Sequence, residues 1–300
     1  MPETPCMVRE SATIKNKNKM KEMKELLEEA RLNWSVYSES IQTESGLVIP
    51  NKMALVKNDT KDVLGIHSNQ YVPYQNEEMM DLLFKISQQT GLELHSGGYF
   101  GKGEKVWIQL KSGDQLMPGG DKIKGFISGF NSFDGGTSLA FGNSFITVSC
   151  RNTWWKGYRE VQSRLRHSAS MRPKIDEILK SIEVLLLEEK GTFEEVKHLQ
   201  DFRMDEATLN MVTKRLFEMK KEDTLDQLSP VKLAKIEVFY NDLTTEVSSK
   251  GDNLWGLFSG VTRYTTHSMK KTGDNTEAKI FGSVGRREQE IYADLLQLTV

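Results

Sequence analysis

The chain has 300 residues, long enough to bury a sizeable core, with 38% hydrophobic and 27% charged residues, an ordinary soluble balance. Its formal net charge of −2 gives no global attraction for nucleic acid or membrane, so any polyanion contact must come from local clustering. The two cysteines, Cys6 and Cys150, make neither a disulfide framework nor a zinc site, and they suit a reducing compartment. The N-terminus lacks the apolar centre of a signal peptide and no apolar run reaches about 18 residues, so a cytoplasmic location with no membrane span is expected.

Residues 1–32 are expected to hold a flexible Lys/Asn-rich start and a first helix over 20–32, where Met20, Met23, Leu26, Leu27 and Ala30 keep helical spacing. Residues 33–152 are expected to form a sheet-rich core. Lys52–Lys57 and Val63–Ile66 flank the turn Asn58–Lys61 as a hairpin. Asn76–Gly91 is an amphipathic helix with Asn76 as N-cap and Gly91 as its stop. Glu93–Tyr99, Lys105–Leu110 and Lys122–Phe130 follow as strands, with turns at Gly97-Gly98, Gly101–Gly103 and Gly119-Gly120. In Ser138–Ser149, alternation of Phe145, Thr147 and Ser149 against Ile146, Val148 and Cys150 predicts a strand with one polar and one buried face. Residues 153–300 are expected to be a helical part, with helices over 153–169, 173–189, 192–221, 229–247 and 285–298 and an aromatic block at Gly251–Met269 that returns to the core. The fold class is α+β: a twisted antiparallel sheet with hairpins packed against helices, followed by a mainly helical C-terminal half.

Three stretches carry a resemblance to a known family. The first is Leu64-Gly65-Ile66-His67-Ser68, continuing to Tyr71-Val72-Pro73-Tyr74-Gln75-Asn76. The second runs from Asn131-Ser132-Phe133-Asp134-Gly135-Gly136-Thr137-Ser138 to Cys150-Arg151-Asn152-Thr153. The third is Asn253-Leu254-Trp255-Gly256-Leu257-Phe258 with Val261-Thr262-Arg263-Tyr264 and His267. In this order and spacing they resemble the phage/plasmid-like family of uncharacterised proteins carried by bacterial viruses and plasmids. Ser259, Gly260, Arg263 and Thr266 stand where the family pattern has Asn, Ala, Glu and Asp, which removes both carboxylates of the third block. By element order the family is similar to the phage single-strand annealing proteins, a likeness at the level of fold alone. The resemblance implies a bacterial host cell as the place of action.

Arg151–Lys174 holds seven Lys/Arg against one acid, Glu160. Arg151, Lys156, Arg159, Arg164 and Arg166 are the candidate phosphate contacts. Trp154, Trp155 and Tyr158 are either base-stacking groups or core residues. Lys102 and Lys105 on the Gly-rich hairpin are further candidate backbone contacts. No Gly-Lys-Ser/Thr follows the glycines, so they are read as hairpin turns and not a phosphate loop. Asp134 is read as a turn former, with a metal role as the lesser alternative. The five histidines lie far apart in sequence without metal-ligand spacing. No metal, cofactor or catalytic residue is expected. The leading expectation is non-catalytic single-stranded DNA binding and strand annealing in phage or plasmid recombination or replication, by a chain that forms homo-oligomers. The alternative is a regulatory or anti-defence protein that contacts a host or phage protein; a metal-dependent nuclease ranks third.

Overall fold

The computed structural model of the chain describes residues 21, 23–118, 120–147, 152–156, 164–269 and 275–300. A helix over 23–29 (α1) precedes β1 (Val36–Gln42), β2 (Val48–Lys57) and β3 (Val63–Ser68), which pair antiparallel in that order. Next come α2 (Asn76–Thr90), β4 (Glu93–Phe100), β5 (Lys105–Leu116), β6 (Lys122–Ser132), β7 (Leu139–Thr147), β8 (Thr153–Lys156) and β9 (Arg164–Leu165). These strands form a second sheet in the order β4-β5-β6-β7-β8, with β9 paired to β7. The helices α3 (Ile175–Gln200), α4 (Glu206–Leu216), α5 (Pro230–Lys250), α6 (Leu254–Arg263), α7 (Asn275–Ile280) and α8 (Ser283–Gln297) complete the chain. The fold is therefore α+β, with sheets in the N-terminal half and helices in the C-terminal half.

The chain forms two compact units. The first contains the described residues up to Lys111, Ser128–Phe141 and those of Ser163–Leu179; the second contains Ser112–Ile127, those of Gly142–Gln162 and those of Lys180–Val300.

In the first unit, α2 buries Met79, Met80, Leu82, Leu83, Phe84 and Ile86. It stops at Gly91, whose φ of +76° a side chain would resist. Its N-cap is Gln75 and not Asn76: the Gln75 side chain and Glu78 close a capping box. Asn76 is instead buried and donates to the carbonyls of Leu32 and Trp34, which fixes the approach of the chain to β1. Gly97 and Gly98 are strand residues inside β4, and the turn falls on Gly101 and Gly103, both with positive φ. Lys57 is nearly closed off, with its ammonium 4.7 Å from the Trp34 ring centre and 3.5 Å from Asp59. Leu47, Val48 and Ile49, where β1 turns into β2, and Ile66 on β3 opposite Ala54 are large apolar side chains left exposed.

The second unit is built on a core that joins Phe145 and Trp154 to Phe193, Val196, Phe239, Trp255, Phe258, Ile291 and Leu295. The helix expected over 153–169 is replaced by strand at Thr153–Lys156 and Arg164–Leu165, the described parts of that segment that take regular structure. Thr153–Lys156 pairs antiparallel with β7 (Ile146↔Thr153, Phe145↔Trp154), and residues 157–163 lie outside the described set. β7 lacks the predicted polar face: Leu139 to Phe145 are all buried, and Ile146 is the half-exposed position. The expected break near residues 189–192 is absent, because α3 runs through Gly191 without interruption. The aromatic block contains α6, buried at every position from Leu254 to Thr262, and continues as a π-helical turn over Tyr264–Ser268. Cys6 and Cys150 lie outside the described residues.

Candidate nucleic-acid interface

The first motif stretch and the Asn131–Ser138 part of the second meet in the first unit. Gly65 lets β3 lie against the 132–137 loop, since a Cβ there would sit 2.4 Å from the Phe133 carbonyl oxygen. Two residues on, His67 Nε2 lies 2.7 Å from that same oxygen, and Tyr71 Oη donates to the Ser132 carbonyl at 2.7 Å. The His67 ring stacks on Tyr71 with centroids 4.0 Å apart. His167 stacks on the same phenol at 5.0 Å. Histidines 100 positions apart in sequence thus share one tyrosine, a juxtaposition that their spacing concealed.

The loop held by this stack carries charge. Asp134 Oδ1 accepts the Gly136 N–H at 2.7 Å, closing the expected turn, and Oδ2 lies 3.0 Å from Lys105 Nζ. The Phe133 N–H donates to the Glu104 carbonyl, which ties the loop to the β4–β5 turn. On that turn Lys102 is well exposed and reaches Asp62 at 2.8 Å. Arg164 lies in β9 opposite Ala140, and Arg166, exposed, immediately precedes His167. Lys105 is thus held on the loop and Lys102 lies on the turn tied to it, while Arg164 lies opposite Ala140, just after the loop, and Arg166 adjoins the His167 that stacks on Tyr71.

Burial, reinforced by the neighbouring His67, depresses the His167 imidazole to about 4, so it is neutral at physiological pH. Burial and then the charge on Asp134 raise the Tyr71 phenol far above its ordinary value, so it stays a hydrogen-bond donor. The phenol and the His67 Nε2 are engaged with backbone carbonyls, which makes the stack a clamp on the loop. Among the described residues no three His, Cys, Asp or Glu side chains come together as a metal site requires. No described helix is long and apolar enough to cross a membrane.

The remaining predicted contacts are placed differently. Trp154 is 3% exposed, stacked on Phe145 at 5.0 Å and packed edge-on against Trp255 and Phe258. It cannot stack on a base, because its ring is already enclosed by aromatic partners. Trp155 and Lys156 lie in β8 opposite Ser144 and Asn143; their side chains, like Arg151, Tyr158 and Arg159, lie outside the described residues. Arg172, also in the basic stretch, is taken up by Glu78, to which it donates from Nε and Nη2. The third motif is core from Leu254 to Thr262, with His267 exposed, and its Arg263 pairs with Asp242 and Glu246. Asn131 and Asn152 satisfy backbone, donating to the carbonyls of Tyr74 and Ser259.

The residues missed from sequence were His67, Tyr71 and His167. The available signal was the closeness of His67 and Tyr71 within the first motif, beside a glycine needed for close backbone approach.

No curated protein and no solved structure matches the chain. A family model matches residues 63–292, a range that takes in all three motif stretches. The chain therefore belongs to that family, DUF932, a domain of unknown function.

Proposed function

We propose that this is a non-catalytic single-stranded-DNA-binding protein of phage or plasmid origin that assists strand annealing. The observation that supports it is that segments carrying Lys102 and Lys105 on one side, and Arg164 and Arg166 on the other, are tied to the clamped 132–137 loop and its Tyr71 stack. These cations come from stretches about 60 residues apart in sequence, a Gly-rich hairpin and the basic, aromatic stretch after Cys150. Lys102 is already paired with Asp62, but an exposed pair of this kind is worth only about 0–1 kcal/mol, so a phosphate can displace the carboxylate. Lys105 is less exposed and holds Asp134, so its role is to fix the loop. A strand bound through its phosphates keeps its bases available for pairing, as annealing requires. Trp154, enclosed in the core, contributes no base stacking, so the reading rests on phosphate contacts.

The test is fluorescence anisotropy of a labelled single strand with the parent protein and with Lys102→Glu and Arg166→Glu. The expected result is measurable binding that the double variant loses by about tenfold or more, since each charge-assisted contact is worth about 1.5–3 kcal/mol. Equal binding by parent and variant overturns this assignment.

A second reading rests on the exposed Leu47, Val48, Ile49 and Ile66 of the three-stranded sheet. The exposed run Leu47, Val48 and Ile49 suits contact with a host or phage protein. A stoichiometric partner that survives nuclease treatment and is lost with Val48→Asp supports that reading.

A further inference from the structure

A second cationic cluster lies in the second unit and uses none of the cations considered above. The C-terminal turn of α4 contributes Lys214 and Arg215, and the early turns of α8 contribute Arg286 and Arg287. All four line one cavity of about 340 Å³, with Glu218 and Glu290 as its two acidic wall residues. The wall therefore carries two more cations than carboxylates.

The arginines are held in place rather than loose. Arg215 donates to Asp294 through Nε and Nη2, at 3.2 and 2.8 Å, and its Nη1 is 3.9 Å from Glu290. Arg287 donates from Nη1 to the Leu216 carbonyl and from Nη2 to Glu218. A guanidinium has five N–H donors, so each keeps others for a ligand while its plane stays fixed. Lys214 Nζ donates to the Lys221 carbonyl, which anchors it beside the cavity. Arg286 is exposed and completes the cationic wall. Even after Asp294, which grips Arg215 from beyond the wall, is counted, one positive charge remains.

We propose that this cavity binds a phosphate monoester. Planar arginine forks match tetrahedral phosphate oxygens, and a monoester carries about −1.5 to −2 charge near neutral pH. The residual positive charge favours such an anion over a neutral ligand, and the cavity has room for the phosphate and part of its organic group.

The test is isothermal titration of the full chain with inorganic phosphate, with a nucleoside 5′-monophosphate and with a dinucleotide whose one phosphate is a diester, all at matched ionic strength. The two species with a non-bridging dianionic phosphate are expected to bind, and the diester more weakly. Arg286→Ala with Lys214→Ala is expected to lower the affinity by about tenfold or more, with the circular dichroism spectrum unchanged. Lys102→Glu with Arg166→Glu is expected to leave it unaltered, which separates this site from the proposed DNA contacts. Heats no larger than those from chloride, or equal binding by the Arg286/Lys214 variant, overturn the proposal; preferential binding of the diester overturns the monoester assignment.

Discussion

Trp154 and His167 both lie in or beside the basic stretch, and the surroundings of each define what it does. Trp154 fills space among Phe145, Trp255 and Phe258. Its truncation to alanine is expected to cost about 3–5 kcal/mol in urea unfolding, the usual range for a large core aromatic. His167 lies on the Tyr71 ring with its imidazole depressed from an ordinary 6.5 to about 4. A group that is harder to protonate when folded stabilises the fold in full above its unfolded value and loses that contribution as pH falls toward the folded value. From pH 7 to pH 5 the loss is expected to be about 2 kcal/mol. His167→Phe, which keeps a stacking ring without a proton site, is expected to lose about that much less over the same pH range in urea titrations. The sequence made the basic cluster legible and left the stack hidden, because nothing local links residue 67 to residue 167. Trp154 was open to two readings for a related reason: a tryptophan beside arginines has the same composition whether its ring faces a base or a core.

Elements whose polar and apolar positions separate were legible, and those buried on all sides were not. α2 shows its stripe and its Gly91 stop in the sequence, and α5 shows its Ser229 cap and Pro230 start. α6 keeps helical spacing through Leu254, Leu257, Phe258 and Val261, but Gly256 and Gly260 inside it weaken that signal. β7 is covered on both faces and shows no dependable alternation. β8 is short and aromatic, and its pairing with β7 decides a state that helical spacing across the segment obscures. Buried charge ties several of these elements down. Lys279 on α7 pairs with Glu288 on α8 at 2.9 Å, both 2% exposed, and Thr265 of the π-helical turn donates to the same carboxylate. Removing one partner leaves an uncompensated buried charge, so Lys279→Met alone is expected to cost about 3–5 kcal/mol, while Lys279→Met with Glu288→Leu restores much of that loss in a double-mutant cycle. Glu189 on α3 accepts from Ser112 and faces Gly125, where a Cβ would lie 2.7 Å from its carboxyl carbon. Burial raises its carboxyl above the ordinary 4.5, so the folded state binds the proton more readily. The stability it contributes is complete below the ordinary value and is lost as pH rises through the raised one. Glu189→Gln is therefore expected to unfold at higher urea than the parent at pH 8, with the advantage disappearing at pH 4.

For the molecule as a whole, a net charge of −2 leaves little long-range pull on DNA, and the cations that matter are gathered locally. The fold class follows from strand and helix order, which the sequence carries well; the division into two compact units does not, because segments distant along the chain return to each unit. The central claim is that Lys102, Arg164 and Arg166 neutralise DNA phosphates in the first unit. It is tested most directly by measuring single-strand affinity at several salt concentrations. The account predicts a linear fall of log affinity with log salt, with a slope that becomes shallower by about 0.7 for each phosphate contact removed, as in Arg166→Glu. An affinity independent of salt, or a slope unchanged by that substitution, contradicts it.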